Sequence, residues 1–291
     1  MLTQTVKAAA RKILSPRAVR YIRRCFQRHL PALELYRSFL RGKRGLEIGG
    51  PSGVFSDEGP MPIYDVLASL DNCLYSDRTI WTGDVRGGES FRYHEQKAPG
   101  RQIFCEASKL ESVGDASYSC VLASHCLEHV ANPFLALSEW RRVLEEDGLL
   151  LLLLPHKDGT FDWRRPTTTL AHMKDDYTNN VGEDDLTHLA EILELHDLAK
   201  DPAAGTPEQF RQRCLENQTH RAIHHHVFDT LSALQTVDHA GFKIMRVDLL
   251  LPFHIIILAS RGDGVVDNGP YLEKGSELLR RSPFVSDRGL A

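Results

Sequence analysis

Arg44-Gly45-Leu46-Glu47-Ile48-Gly49-Gly50-Pro51-Ser52-Gly53-Val54-Phe55 is the stretch whose reading decides the fold. Leu46 to Ile48 is a short apolar run and reads as a buried strand. A glycine-rich turn comes directly after it. Glycine there allows positive φ and lets a ligand come close to the main chain. A strand that runs into such a turn is where an open α/β sheet receives a nucleotide-like ligand.

Downstream, apolar segments alternate with connections long enough for crossovers. Val66 to Leu70, Gln102 to Cys105, Ser119 to Ala123 and Leu149 to Leu154 read as strands. Asn132-Pro133 opens a helix on which Phe134, Leu137, Trp140 and Leu144 share a face, and Asp147-Gly148 ends it. Leu149 to Leu154 is apolar on both faces, as a central parallel strand requires. Val227 to His239 reads as a helix capped by Gly241. Lys243 to Leu251 and His254 to Ser260 are strands joined by Leu251-Pro252-Phe253, so they must be antiparallel. The pattern predicts an α/β, Rossmann-like, doubly wound sheet of seven strands, mostly parallel and finished by an antiparallel C-terminal hairpin. Residues 56–100 lack a helical period, so the helix that ordinarily comes after a glycine loop is shortened or replaced.

The expected organisation has three parts. Residues 1–43 are basic N-terminal helices, 44–261 the main domain with a helical lid insertion at about 157–220, and 262–291 a polar tail with little core. The chain of 291 residues carries a net charge of −4. That value hides an asymmetry: residues 1–44 hold twelve Lys and Arg against Glu34 alone. Such a segment suits an acidic partner surface or peripheral contact with an anionic membrane; nucleic acid is not expected. Six scattered cysteines without a Cys-x-x-Cys pair favour a reducing, cytoplasmic setting. No apolar run approaches the roughly 20 residues of a membrane helix.

The most specific signal is Ser124-His125-Cys126-Leu127-Glu128-His129-Val130, then Asn132-Pro133, then Leu137-x-Glu139-x-x-Arg142-Val143-Leu144 and Gly148. Together with the glycine loop this resembles the class I S-adenosylmethionine-dependent methyltransferases, in the group called the type 11 methyltransferase domain. The resemblance covers residues 44–156 well and 222–260 in layout. It implies that Glu47, Gly49, Gly50 and Gly53 form the cofactor loop. It makes Asp71 the candidate acid for the ribose hydroxyls, with Asp65, Asp77 and Asp84 as competitors. Glu106 and Ala107 match the pair beside the adenine, and Ser124 and His125 the strand tip beside the methionine. Pro51 departs from the family's G-x-G-x-G loop, because proline fixes φ and removes an N–H.

The resemblance also implies the chemistry, methyl transfer, and the Trp163-Arg164-Arg165-Pro166 motif points to a small polar acceptor such as a saccharide or nucleotide-sugar hydroxyl. The alternative is a catalytically degenerate cofactor-binding or scaffold module docked through its basic N-terminus. A hydroxyl acceptor needs a base. His156, directly after the fifth strand, and His125 are the candidates, His156 also as a substrate ligand. Trp163, Arg164 and Arg165 suit an anionic or sugar-phosphate acceptor, since guanidinium forks fit phosphate and indole stacks on sugars. His188, His196, Asp184, Asp185 and Asp197 offer donors for a divalent metal but in no tight ligand motif, so no metal is the main expectation.

Overall fold

The structure is a computed structural model that describes residues 30–262, 264 and 267–290. The basic helices expected before residue 30, and any membrane contact by them, lie outside those residues.

The strands are β1 (Arg44–Ile48), β2 (Ser69–Leu74), β3 (Gly88–Phe91), β4 (Gly100–Phe104), β5 (Tyr118–Ser124), β6 (Leu144–Pro155), β7 (Lys243–Leu250) and β8 (His254–Ser260). They form one eight-stranded sheet in the order β3-β4-β2-β1-β5-β6-β8-β7. β4, β2, β1, β5 and β6 are parallel; β8 runs antiparallel to β6 and β7, and β3 antiparallel to β4. The doubly wound sheet and its hairpin match expectation, but the sheet has eight strands rather than seven. The extra strand is β3, a four-residue edge hidden among turn residues where no alternation survives. A separate two-residue ladder joins Arg78–Thr79 to Gly83–Asp84.

Packing reflects side-chain alternation. Along β6, Leu150, Leu152 and Leu154 enter one core layer, and Leu149, Leu151 and Leu153 the other. The first layer holds α2 (Pro133–Val143), whose Trp140 is fully buried. Asn132 caps it by accepting from Leu135 N–H at 3.0 Å. The helix ends at Val143, earlier than expected, because Leu144 already pairs with Tyr118. The second layer holds α1 (Leu33–Leu40), anchored by the Arg37 fork on Asp65, both contacts 2.7 Å.

Between the sheet's last two halves lie α3 (Leu170–Thr178), α4 (Leu189–Leu195), α5 (Pro207–Leu215) and α6 (Asn217–His220). Ile192, Ala204, Phe210, Cys214 and Ile223 give this region its own small core. α7 (Thr230–His239) then returns the chain to the sheet.

The C-terminal residues pack instead of trailing. Leu279, Phe284 and Asp287 are buried, and short helices form at Glu277–Arg280 and Val285–Arg288. Their polar composition concealed a specific anchor: Asp287 accepts from Ser282 and Thr230 hydroxyls, each at 2.6 Å. Among the described residues, no helix is long and apolar enough to cross a membrane.

Candidate active site

A cavity of about 480 Å³ opens at the carboxyl ends of the parallel strands. Residues at or just past the strand ends make one wall: Gly49 after β1, Tyr75 after β2, Glu106 and Ala107 after β4, His125 and Cys126 after β5, and Pro155 at the end of β6. The other wall comes from residues 159–161, 183, 200, 201, 203, 213, 221, 222 and 224.

Gly49 sits at φ +80, which disfavours any side chain, and faces Cys126 Sγ. Its N–H donates to Cys73 O at 2.9 Å. Gly50 N–H donates to Asn72 Oδ1 at 2.9 Å, and Asn72 Nδ2 returns a bond to Gly50 O at 3.0 Å. A Cβ on Gly50 would stand 2.3 Å from the Glu47 carboxyl carbon. Asn72, unremarked in the sequence, therefore fixes the loop. Glu47 lies beneath the loop and not in the cavity. Its carboxylate accepts from Tyr64 hydroxyl at 2.9 Å and Ser52 N–H at 3.0 Å. Burial pushes Glu47 up to about 7 against those bonds. Gly53 is exposed and outside the cavity.

Asp71 is not brought to the cavity. β2 begins three residues later than the apolar run suggested and ends at Leu74, so Asp71 falls mid-strand. There it accepts from Arg101 N–H at 2.7 Å and Tyr118 hydroxyl at 2.8 Å. Tyr75 stands at the strand's end instead, and Trp81, in a turn further on, also lines the cavity. Trp81, 61% exposed and 5.7 Å from the His129 ring, carried no sequence signal beyond its type.

Glu106 and Ala107 do reach the cavity. Ala107 O accepts from Trp140 Nε1 at 2.9 Å, which holds this turn onto α2. Arg221 spans from Glu106 at 2.6 Å to Glu183 at 3.1 Å, with its guanidinium 5.3 Å from the Tyr75 ring. Burial pushes Glu183 up to about 7 despite that arginine. The pairing of Glu106 with Arg221 is invisible to local sequence reading.

His125 adopts φ 53 and faces the cavity. Its Nε2 lies 2.9 Å from His254 Nδ1, and its Nδ1 lies 3.7 Å from Glu128 Oε1. Burial pushes His254 down to about 4, which keeps that ring neutral at pH 7. Ser124, expected at the strand tip, is not brought into the cavity lining; its Oγ is buried in the protein with no hydrogen-bond partner.

His156 is elsewhere. It is fully buried under the C-terminal segment, with Nε2 3.0 Å from Asp287 Oδ1 and its ring stacked on Phe284 at 3.9 Å. It cannot meet a ligand without unpacking that segment. The Trp163-Arg164-Arg165 motif is likewise outside the cavity lining. Trp163 Nε1 donates to Asp197 at 2.8 Å, and Arg164 lies 3.7 Å from the same carboxylate. Arg165 is fully buried and ties together Asp162 at 3.0 Å, Glu191 at 2.8 Å and His224 O at 2.9 Å. It is a brace of the lid.

The lid donors considered for a divalent metal do not converge. His188 faces His172 at 3.1 Å, His196 faces Asp201 at 3.3 Å, and Asp185 and Asp197 bond their own turns. Among the described residues, the donor groups that do converge are Glu128 with His129 and His224, and His172 with Asp176 and His226.

The strand-tip wall fits an adenosyl cofactor. It offers a glycine without a Cβ at the β1 tip and a carboxylate next to small apolar groups at the β4 tip.

Residues 18–247 match the family model of a methyltransferase domain. The chain belongs to that family. It is a class I S-adenosylmethionine-dependent methyltransferase. No curated protein matches it. Solved structures similar to it include three methyltransferases. A SAM-dependent methyltransferase of Aquifex aeolicus is 11% identical, with TM-score 0.43, over 87% of this chain and 97% of that one. One of Mesorhizobium loti is 13% identical, with TM-score 0.44, over 79% and 96%. The 1,6-didemethyltoxoflavin-N1-methyltransferase of Burkholderia thailandensis is 12% identical, with TM-score 0.41, over 90% and 92%.

Proposed function

We propose that this enzyme methylates a hydroxyl of a small polar acceptor, with a saccharide or nucleotide-sugar as the acceptor class. The observation that carries the reading is the second cavity wall, which presents Lys200, Asp201, Arg213, Arg221 and Glu183 to the same space as the strand tips. A wall that carries both charge signs offers hydrogen-bond and ionic partners to hydroxyl and phosphate groups.

Gly49, Glu106 and Ala107 are the residues that would hold the cofactor. When bound, S-adenosylmethionine supplies an electrophilic methyl group on sulfur. The protein's task is alignment of the acceptor oxygen and exclusion of water. We assign His125, rather than His156, as the base. It takes the acceptor's proton at Nδ1, which lies 3.7 Å from the buried Glu128 carboxylate. His156, the other candidate base, is occupied by Asp287.

The test is mass spectrometry of a panel of saccharides and nucleotide-sugars incubated with enzyme and cofactor. One methyl gained on a sugar oxygen is expected. His125→Gln lowers kcat by about 10²–10⁴-fold with cofactor affinity kept. A turnover unchanged in that variant removes His125 as base; methylation confined to amines or carbons in a wider panel removes the acceptor class.

A further inference from the structure

Glu128 and two histidines of the cavity that the methyl-transfer reading leaves unused share an arrangement. His129 Nδ1 lies 3.0 Å from Ile223 O. A carbonyl only accepts, so the proton is on Nδ1 and the Nε2 lone pair is free. His224 Nδ1 lies 2.5 Å from Asp162 Oδ2. That carboxylate also accepts, and it is held by Arg165 at 3.0 Å, so Nε2 is again the free nitrogen. Glu128 is 1% exposed, and its Oε2 has no hydrogen-bond partner. One nitrogen of each imidazole and one carboxylate oxygen lie within 4.8 Å of one another. The two rings are 4.6 Å apart, edge to face.

Two imidazole nitrogens and a buried carboxylate gathered at one point turn their lone pairs toward a shared proton or cation. We propose that Glu128, His129 and His224 bind one divalent transition-metal ion whose remaining coordination positions face the cavity. The inference rests on the reading that this cavity holds the methyl acceptor.

The chemistry of the set is specific. Two imidazoles and one carboxylate suit Zn²⁺, Mn²⁺, Co²⁺ or Fe²⁺ better than Ca²⁺ or Mg²⁺, which prefer all-oxygen shells. Metal–nitrogen and metal–oxygen bonds of about 2.0–2.2 Å place such donors roughly 3–3.5 Å apart. His129 Nε2 and Glu128 Oε1 stand 4.0 Å apart, a gap that small side-chain rotations close. Both imidazoles have the outer partner that orients metal-binding histidines, a backbone carbonyl for one and a carboxylate for the other. Three protein ligands beside an open cavity make the catalytic rather than the closed structural type of site. An acceptor oxygen seated on the ion would lose its proton more readily, and His125 lies next to the same Glu128 carboxylate.

The test uses the full chain, stripped with a chelator, dialysed and titrated with Co²⁺ and with Zn²⁺. One ion per chain is expected by plasma mass spectrometry, with visible ligand-field bands for cobalt. Asp162→Asn, which removes the charged outer partner of His224 and weakens its ion pair with Arg165, should weaken binding by about 10–100-fold. Glu128→Gln and His224→Ala should abolish stoichiometric binding while circular dichroism stays native. Wild-type protein that takes up neither ion overturns the proposal. So does uptake that survives all three substitutions, which would place the ion at His172, Asp176 and His226 or on the surface. Should the ligand variants fail to fold, the wild-type titration and Asp162→Asn still decide. S-adenosylhomocysteine is titrated into the same preparation. Its binding without metal uptake overturns the metal site alone, whereas its failure to bind overturns the cofactor reading.

Discussion

The two walls of the cavity are built by different means. The strand-tip wall consists of residues at the ends of β1, β2, β4, β5 and β6, held by main-chain geometry: a positive-φ glycine at 49, a positive-φ histidine at 125, and a carbonyl of Ala107 bonded to Trp140. The lid wall mixes charged and apolar side chains from segments far apart in sequence, its charges held by ion pairs such as Arg221 with Glu106 and Glu183. The first wall depends on strand order and can be laid out from periodicity alone. The second depends on which charges find each other, and no local pattern encodes that.

The largest expected effect breaks the lid wall alone. Arg165→Ala leaves Asp162 and Glu191 without their buried partner, at a cost of about 3–5 kcal/mol. Denaturant unfolding should show that loss. Cofactor binding should survive in the folded fraction while acceptor turnover falls. Loss of cofactor binding in proportion to turnover would show that the walls are not separable.

A similar loss is expected far from both walls. Asp287→Ala removes the partner of the fully buried His156 and the acceptor for Ser282 and Thr230. Burial alone would raise Asp287, but the bonds from His156, Ser282 and Thr230 outweigh it and hold it low. We expect about 3–5 kcal/mol of destabilisation with KM for both substrates unchanged in folded protein. A raised acceptor KM at full stability would return His156 to the site.

The strand-tip wall has its own pH signature. Burial raises Glu47 from 4.5 to about 7 in the folded chain. The native state therefore keeps a proton that the unfolded chain releases. This contribution is complete below the unfolded value and is lost as pH rises through the folded one. Between pH 4.5 and 7 the wild type should lose up to about 3 kcal/mol relative to Glu47→Gln. Unfolding free energies measured across that window check it, and a constant difference between the two proteins would count against the buried, protonated carboxyl.

The smallest effect is a near-zero one. Trp163→Ala with Arg164→Ala removes an exposed contact on Asp197 and should change acceptor KM by less than about twofold, because surface pairs contribute little. A larger rise would extend the lid wall to that turn.

The same contrast accounts for what the sequence could disclose. The sheet, its hairpin, α2 and the family were legible because alternation, helical period and the Ser124–Val130 motif are local. Gly49, Glu106, Ala107 and His125 came with them, since strand tips are fixed once strands are placed. Asp71 misled because a three-residue error in the start of β2 moves a residue from the tip to mid-strand. His156 misled because its partner lies 131 residues away. Trp163 and Arg165 carried the right chemistry for a ligand, yet their side chains are consumed by Asp197, Asp162 and Glu191. The convergence of Glu128, His129 and His224 needed the fold, although the first two are adjacent.

The central claim is that the strand-tip wall binds the adenosyl cofactor. Calorimetric titration with S-adenosylhomocysteine, on wild type and on Gly49→Val, tests it most directly. Micromolar binding in the wild type, lost in the variant whose side chain is strained at φ +80 and crowds the cavity, is the predicted result. No binding in the wild type, or equal binding in both proteins, would contradict it.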